Sequence, residues 1–309
     1  MIFFKPNFWD KNKISFFSIL LFPITILIKV VIFFKPYSVK NHKYPIPVIC
    51  VGNIYLGGTG KTPIAIKIFS ILKELNMRPV FIRKKYDAFK DEFELQKKTG
   101  PIYQDKKRST AIKKAIADNA NIAILDDGFQ DFSIKKNLSI ICFNEKQWIG
   151  NGLSIPSGPL RESLSSLKRA SCVIINGNKN NIIETKLLKY NKEIKIFYSK
   201  YEPLNIDEFK NKKIIAFAGI GNPESFFSLL IDNNINILKK IKFPDHYNFS
   251  KKEMEDLINL SQEKNATLLT TEKDYYRINK SYKNRVNFLK ILVEIKDQNK
   301  FIEEIKKII

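Results

Sequence analysis

Apolar and polar positions follow two alternating periodicities along the chain after Pro45. Short runs rich in Ile and Val predict buried strands, and they lie at 47–51, 79–82, 122–125, 138–143 and 171–175. The segment 61–75 predicts a helix, because its apolar residues fall on one stripe. This alternation predicts a mostly parallel sheet with helices on both faces.

A second series of strand-like runs follows an Asn- and Lys-rich stretch that is typical of a surface connection. These runs lie at 194–198, 213–218, 235–241, 267–270 and 287–293. Two α/β domains are the simplest interpretation, with a boundary between 177 and 205. The predicted domains are 37–195 and 196–309, and they follow a separate N-terminal segment, 1–36.

The N-terminal segment has the character of a membrane anchor. Residues 14–34 are almost long enough to span a bilayer, which takes about 20 apolar residues. The polar residues of this segment fall on one narrow helical stripe, and they are Ser15, Ser18, Thr25 and Lys29. The stripe favours an amphipathic helix in the headgroup layer, bent by Pro23, with nearby lysines beside lipid phosphates. A single transmembrane span and a buried core helix are the alternatives.

Composition changes this picture little. The 309 residues carry a formal net charge of +22, which would favour nucleic acid or an anionic membrane as a partner. The excess is nearly all lysine in an Ile- and Asn-rich chain, and no basic motif is interleaved with aromatic residues, so we expect no nucleic-acid partner. Cys50, Cys142 and Cys172 lie in apolar runs without a C-x-x-C spacing, which predicts buried thiols and not a zinc site.

The stretch VGNIYLGGTGKTP, residues 51–63, has the context that a phosphate-binding loop requires. A buried strand precedes the glycines and a helix begins at the lysine, so backbone N–H groups and the helix N-terminus can hold a phosphate. Lys61 would reach the β- and γ-oxygens, and Thr62 would bind Mg²⁺. The predicted nucleotide-binding residues are Gly57, Gly58, Thr59, Gly60, Lys61 and Thr62. Tyr55 stands where the strict pattern has its first glycine, and a structural turn is the alternative.

The stretch NIAILDDGFQDF offers the second half of such a site. Its apolar strand ends in Asp126 and Asp127, and strand ends in a parallel sheet converge on the phosphate-binding loop. We therefore predict that Thr62, Asp126 and Asp127 hold Mg²⁺. The alternative is again a structural turn, because Asp and Gly are residues that turns favour.

With these motifs, the chain resembles the tetraacyldisaccharide 4′-kinase family of lipid A biosynthesis from residue 51 to about residue 277. The shared stretches, in order, are VGNIYLGGTGKTP, DDGFQ, GNGLSIPSGPLRES, FAGIGNPESFF, FPDHYNF and TTEKD. The resemblance implies transfer of the γ-phosphoryl group of ATP to the 4′-hydroxyl of a lipid A disaccharide precursor. It also implies a peripheral enzyme on the cytoplasmic face of the inner membrane.

The implied fold class is α/β with two α/β/α lobes that close on the nucleotide. The N-terminal lobe would carry a P-loop NTPase-like, mostly parallel sheet, the C-terminal α/β domain would be smaller, and an N-terminal helix would associate with the membrane. The sequence departs from the family in three places. RKKYDAF at 83–89 replaces Ser-Arg-Gly-Tyr-Gly, the pair Asp91 and Glu92 follows almost at once, and Asp131 replaces a histidine.

The acceptor hydroxyl must lose a proton during phosphoryl transfer, and His246 is a candidate to take it. It is one of only two histidines, and a histidine side chain exchanges protons near neutral pH. By the resemblance, Asp91 would orient His246 or share the proton. The predicted catalytic residues are Asp91, His246, Asp127 and Lys61. A structural histidine and a solvated aspartate are the alternatives.

The Gly- and Pro-rich stretch at 150–163 predicts a shaped loop that binds substrate. Arg161 and Glu162 could hold the 1-phosphate and the sugar hydroxyls, because arginine suits bidentate phosphate contact. Asn151, Arg161 and Glu162 are the predicted substrate contacts, and a surface Arg–Glu pair is the alternative. TTEKD, at the end of a strand, either contacts a ligand or caps a helix with Thr270 or Thr271.

A second function class also fits the phosphate-binding loop and the anchor. A membrane-associated P-loop ATPase could use hydrolysis as a switch without phosphorylating a substrate. The second domain with His246 and the proline-rich loop favour the kinase, because a simple switch needs neither.

Overall fold

The computed structural model describes residues 5–11, 13–85 and 90–309. The chain divides into two compact units. The large unit contains 5–85, 99–200 and 293–309, and the described part of the small unit contains 90–98 and 201–292. Residues 86–89, where part of the departure from the family pattern falls, lie outside the described residues.

The larger sheet is centred on the strand that precedes the phosphate-binding loop. Its strands are β1 (Val48–Gly52), β2 (Pro79–Lys84), β3 (Ile102–Asp105), β4 (Ile122–Asp126), β5 (Leu138–Asn144), β6 (Cys172–Asn176), β7 (Lys195–Pro203) and β12 (Ile291–Ile295). Among the described residues these eight strands have the order β12-β7-β6-β5-β1-β4-β2-β3, and the pairings from β7 to β3 are parallel. The prediction of an α/β fold with a mostly parallel sheet is confirmed.

Helices cover the faces of this sheet. The helices of the large unit are α1 (Phe16–Leu20), α2 (Phe22–Phe34), α3 (Lys61–Glu74), α5 (Arg108–Ala117), α6 (Asn181–Tyr190) and α10 (Gln298–Lys306). The predicted stripe of α3 is buried, as Ile64, Ile68 and Leu72 show. Cys50, Cys142 and Cys172 are buried free thiols, as predicted.

The small unit has its own parallel sheet and its own core. Its strands are β8 (Ile214–Ala218), β9 (Ile237–Lys242), β10 (Thr267–Thr271) and β11 (Asn287–Leu289), in the order β11-β10-β8-β9. Its helices are α4 (Lys90–Thr99), α7 (Pro223–Asp232), α8 (Lys251–Glu263) and α9 (Glu272–Arg277). Alternate residues of β8 pack on opposite sides, Ala216 with Phe227 of α7 and Phe217 with Met254 of α8.

The chain passes from the large unit to the small unit at 200/201, five residues after the predicted 195/196 and within the interval 177–205. The strands β7 and β12 pair in the larger sheet, although their sequence runs suggested the C-terminal domain. The described part of α4 up to Lys98 belongs to the small unit, and the last residues, 293–309, belong to the large unit. A strand's own sequence specifies its extended form but not the edge on which it pairs. The short strand β3 was not expected, since its residues IYQD are only half-buried.

The N-terminal hydrophobic segment forms two helices, α1 and α2, with Pro23 in the first turn of α2. Within the part of the chain that the structure describes, no helix has the length and apolar character needed to cross a membrane. The apolar residues Leu27 and Val31 are 67% and 69% exposed, whereas Ser18 and Thr25 of the polar stripe are fully buried. Ser18 and Thr25 therefore face the protein, whereas Lys29 of the stripe and the apolar face are exposed.

Candidate active site

The loop between β1 and α3 has the backbone of a phosphate cradle. Gly57, Gly58 and Gly60 have φ angles of 87°, 50° and 84°, a region that side chains with a Cβ rarely adopt. Gly60 directly precedes α3, so the free N–H groups at the start of this helix border the loop. Asn53 Nδ2 donates to Thr59 Oγ1 at 2.9 Å and closes the loop from within. This loop can hold a phosphate group through its backbone.

Tyr55, which replaces the first glycine of the strict pattern, has a structural role. Its side chain is fully buried and its hydroxyl lies 2.6 Å from Asp10 Oδ1. Burial, together with the hydrogen bond to Asp10, raises the pKa of this phenol. The neighbouring backbone is paired as well, because Arg161 N–H donates to Ile54 O at 2.7 Å. Tyr55 therefore anchors the start of the loop, and the glycine turn at 57–60 keeps the conformation that a phosphate-binding loop needs.

Thr62 and Asp126 lie together at the end of the central strands. β1 and β4 pair with Val51 opposite Asp126, which brings this carboxylate to the start of α3. Thr62 Oγ1 donates to Asp126 Oδ2 at 3.4 Å, and both residues are buried. Hydroxyl and carboxylate oxygens are the ligands that Mg²⁺ prefers, so these two residues fit the ion. No group of three or more His, Cys, Asp or Glu residues forms a metal site among the described residues.

Asp127 is held by two cations. Its N–H donates to Val51 O at 2.9 Å, and its φ of 55° turns the side chain away from the strand direction. Arg161 Nη1 donates to both carboxylate oxygens, at 2.8 and 3.0 Å. Lys61 Nζ lies 3.9 Å from Asp127 Oδ1. The structure thus brings together three residues that were predicted for catalysis, metal binding and substrate binding.

Arg108, which the sequence analysis did not select, fixes the turn that carries both aspartates. Its Nη2 donates to Asp127 O at 2.9 Å, and its Nη1 forms an ion pair with Asp131 Oδ2 at 3.1 Å. Burial would raise the pKa of Asp131, but hydrogen bonds from Ser133 and the charge of Arg108 outweigh it, so this pKa is lowered. Asp131, where the family has a histidine, is therefore an ionised partner of Arg108.

The other two predicted substrate contacts are engaged within the protein. Asn151 Nδ2 donates to Ser157 O at 2.9 Å, and its Oδ1 accepts from Leu153 N–H at 3.1 Å. Glu162 is buried; it accepts from Gln130 Nε2 at 3.0 Å and forms an ion pair with Arg169. Both side chains shape the loop on either side of Arg161. Of the three predicted substrate contacts, Arg161 has its side chain on Asp127, next to Lys61 of the phosphate-binding loop.

The small unit carries a separate cluster around Asp91, which the described part of α4 places beside His246. His246 sits in a turn with a φ of 57°, and its N–H donates to Gly219 O at 3.1 Å. His246 Nδ1 lies 3.4 Å from Asp91 Oδ2. The Asp91 side chain is fully buried, whereas the imidazole is 22% exposed. A partly exposed histidine beside a buried carboxylate is an arrangement suited to proton transfer.

Two further cations surround Asp91. Arg277 Nε lies 3.3 Å from Asp91 Oδ2, and Lys273 Nζ lies 3.7 Å from the same oxygen. Burial alone would raise the pKa of Asp91, but His246, Lys273 and Arg277 outweigh it and lower that pKa. Burial would lower the pKa of Lys273, but the nearby carboxylates, Glu92 first among them, raise it. Asp91 is therefore ionised and Lys273 is protonated at neutral pH.

Arg277 also ties the elements of this cluster together. Its Nη2 pairs with Asp274 Oδ1 at 3.0 Å, and its Nη1 donates to Gly219 O at 2.9 Å and Tyr247 O at 3.2 Å. TTEKD contributes Lys273 and Asp274, which the sequence analysis left unassigned. Of the two expected caps, Thr271 begins α9 by accepting from Asp274 N–H at 3.1 Å. Two adjacent charged residues just after a buried strand were the signal in the sequence that could have identified Lys273 and Asp274 as functional candidates.

Comparison with known proteins decides the family. The family model LpxK, tetraacyldisaccharide-1-P 4′-kinase, matches residues 17–309. The chain belongs to the tetraacyldisaccharide 4′-kinase family. It is 43% identical to the tetraacyldisaccharide 4′-kinase of Pelagibacter ubique over 98% of both chains. It is 33% identical to that of Rickettsia bellii, again over 98% of both chains.

A solved structure agrees on the fold. The crystal structure of LpxK from Aquifex aeolicus in complex with ATP matches with a TM-score of 0.71 at 24% identity, over 94% of this chain and 99% of that one. Family membership confirms the resemblance that the motifs indicated. It makes this chain a kinase of lipid A biosynthesis.

Proposed function

We propose that this kinase transfers the γ-phosphoryl group of ATP to the 4′-hydroxyl of tetraacyldisaccharide 1-phosphate. The observation that carries the proposal is the convergence of Lys61, Asp127 and Arg161 at a glycine cradle. Phosphoryl transfer needs positioning and charge neutralisation more than covalent chemistry. Support for ATP comes from the ATP complex of the Aquifex relative, whose fold this chain shares.

The cradle would bind the β- and γ-phosphates through backbone N–H groups, and Lys61 would neutralise their charge. Thr62 and Asp126 would hold Mg²⁺, which supplies charge neutralisation at the phosphates when it is bound. Asp127 would hold Lys61 and Arg161 at fixed positions. Together these three residues carry a net charge of about +1 by formal counting, which favours an anionic ligand.

Arg161 is proposed to contact a phosphate of the bound substrates, since one arginine can form two parallel hydrogen bonds to a phosphate. Its approach to Asp127 uses a single nitrogen, Nη1, so the remaining donors of the guanidinium can serve a ligand. Asn151 and Glu162 would support Arg161 by shaping the loop. Their own contacts within the protein favour this indirect role.

His246 and Asp91 are proposed to receive the proton of the acceptor hydroxyl. Asp91 Oδ2 faces His246 Nδ1, and Nε2, with Asp245 Oδ1 at 3.8 Å, is the nitrogen proposed to accept the proton. Lys273 and Arg277 keep Asp91 ionised, so the carboxylate is available to stabilise the imidazolium that forms. This arrangement gives the transferred proton a defined acceptor, His246, and a defined counter-charge, Asp91.

The helices α1 and α2 are proposed to attach the enzyme peripherally to the cytoplasmic face of the inner membrane. Their exposed surface is almost entirely apolar, with Phe17, Leu27 and Val31 all more than 60% exposed. An exposed apolar patch of this kind marks an interaction surface, and a substrate with four acyl chains is held in a bilayer. Attachment would confine enzyme and substrate to one layer.

The test is incubation of the purified protein with γ-labelled ATP, Mg²⁺ and tetraacyldisaccharide 1-phosphate in detergent. We expect a labelled bisphosphorylated lipid. The nucleotide switch makes a different prediction, because it would release labelled inorganic phosphate and leave the lipid unlabelled. That second outcome would remove the kinase assignment.

A further inference from the structure

Two residues of the polar stripe, Ser18 and Thr25, contact the Gly- and Pro-rich loop. Ser18 and Thr25 have no exposed surface, although the helices around them are largely exposed. Asn151 Nδ2 of the loop donates to Ser18 Oγ at 3.2 Å. Ser18 and Thr25 therefore form a contact surface within the large unit and are not turned to lipid headgroups.

The Thr25 hydroxyl is the centre of this contact. It donates to Ser157 Oγ at 2.8 Å and lies 3.3 Å from Ser154 O. It also accepts from Ser157 N–H at 3.2 Å. One hydroxyl thus fixes both sides of the turn at 154–157, which is closed by Gly158 N–H donating to Ser154 O at 3.0 Å.

The same loop leads directly to the phosphate-binding residues. Pro159 O accepts from Leu56 N–H at 2.9 Å, and Arg161 N–H donates to Ile54 O at 2.7 Å. Two backbone hydrogen bonds therefore join the segment after the turn to the start of the phosphate-binding loop. Arg161, whose guanidinium pairs with Asp127, lies four positions after Ser157.

We propose that Thr25 is a positioning residue for phosphoryl transfer. Its hydroxyl fixes the turn at 154–157, the turn sets the segment that pairs with Ile54 and Leu56, and that segment places Arg161 on Asp127. This inference rests on the proposed function of Arg161 at the phosphates. It goes further by giving the anchor two separate faces, an apolar one for lipid and a polar one that orders the active-site loop.

The contact geometry distinguishes this role from simple attachment of the helices. Attachment alone needs burial of any well-packed side chain, whereas Thr25 uses donor and acceptor together on one short turn. A valine has nearly the same shape without the hydroxyl, so Thr25→Val leaves Ser157 N–H and Ser154 O without this partner. Thr25→Ser keeps the hydroxyl.

The test measures turnover in detergent micelles containing tetraacyldisaccharide 1-phosphate, where attachment to a bilayer is not required. We expect Thr25→Val to lower kcat by about 10-fold, because a small misplacement of a catalytic group is costly. Thr25→Ser should recover most of the lost turnover. Ser38→Ala is the matched control. Ser38 lies just after α2 and is exposed, and within the described residues its hydroxyl donates to Phe34 O.

A double-mutant cycle with Arg161→Ala identifies the route. If Thr25 acts through Arg161, adding Thr25→Val to Arg161→Ala should cause no further loss of turnover. Ser157→Ala provides the same comparison from the loop side, in case Thr25→Val does not fold. Wild-type turnover in folded Thr25→Val or Ser157→Ala, or losses that multiply with that of Arg161→Ala, would overturn the proposal. Failure of the wild-type protein to phosphorylate the lipid at all would instead contradict the proposed function.

Discussion

His246 Nδ1 lies 3.4 Å from the buried Oδ2 of Asp91, although the two residues are 155 positions apart. The imidazole is 22% exposed and the carboxylate is fully buried, so solvent or substrate reaches the pair only from the histidine side. The buried Asp91 carboxylate, which neighbouring cations keep ionised, supplies a counter-charge beside the ring. His246 is therefore the member of the pair that a substrate can contact, and Asp91 acts on the substrate only through His246.

His246→Ala should lower kcat by about 10²- to 10⁴-fold, the usual contribution of a general base. ATP affinity should change little, because the residue is proposed to act on the acceptor proton. Asp91→Asn should reduce kcat as well, and the double variant should lose no more than the worse single variant if the pair acts as a unit. Steady-state kinetics at varied ATP concentration gives kcat and the apparent ATP affinity for both single variants and for the double variant. Losses that simply multiply would mean that the residues have separate roles.

Arg277→Met should destabilise the protein by about 3–5 kcal/mol, because it removes the cation paired with buried Asp274 and one of the cations beside buried Asp91. The Arg277 side chain is 6% exposed and its partners Asp91 and Asp274 are fully buried. Urea unfolding measures the free energy difference. Arg285→Met, at an exposed arginine nearby, is the control and should change the free energy of unfolding by less than about 0.5 kcal/mol.

The loss caused by Arg277→Met should also depend on pH. Folding lowers the pKa of Asp91, so the stabilisation from its ionised form is present above the unfolded pKa of about 3.9 and is lost as pH falls through the folded value. The difference between wild type and variant should therefore narrow as the pH drops below about 4. A difference that is constant from pH 7 to pH 3 would contradict the role of Asp91 as the partner.

Lys61→Ala should lower kcat by at least about 10²-fold while the protein stays folded, because the lysine acts on phosphate charge in the transition state. Lys73→Ala, exposed near the end of the same helix, is the control. Circular dichroism checks the fold, and transfer of label from ATP to lipid measures turnover. Near wild-type turnover in folded Lys61→Ala would favour the structural-turn interpretation.

Asp126 and Asp127 should respond differently to replacement. Asp126→Asn should raise the Mg²⁺ concentration needed for half-maximal activity, because Asp126 is proposed to hold the ion with Thr62. Asp127→Asn should lower kcat with a smaller change in that concentration, since its carboxylate is paired with Arg161. A Mg²⁺ titration of each variant separates the two effects. Identical titrations for wild type and Asp126→Asn would exclude Asp126 as a ligand.

Leu27→Asp should weaken binding to liposomes by at least about 10-fold, because burying one leucine side chain contributes about 1.5–3 kcal/mol. Leu27 is 67% exposed on α2. Leu204→Asp, which replaces a leucine that is 62% exposed in the small unit, is the matched control. Co-sedimentation with anionic phospholipid liposomes measures binding. Equal binding of the two variants would show that the apolar face of α2 does not contact lipid.

The amino-acid sequence is sufficient to predict the local elements and the residues proposed for the phosphate site. The period of apolar residues in β1 and α3, the glycines at 57, 58 and 60, and the carboxylates at the end of β4 are local signals, because strand ends, backbone freedom and helix starts depend on near neighbours. Motif order was specific enough to indicate the family. None of these features required knowledge of distant contacts.

Which surfaces meet depends on contacts between residues that are distant in the sequence. The tertiary structure placed β7 and β12 in the larger sheet and the described part of α4 up to Lys98 in the small unit. It surrounded Asp91 with Lys273 and Arg277, and it turned the stripe of Ser18 and Thr25 toward the protein. Periodicity shows that a helix has a polar and an apolar face, but it does not show what each face contacts. That choice depends on which buried polar groups find partners, here a hydroxyl beside the turn at 154–157.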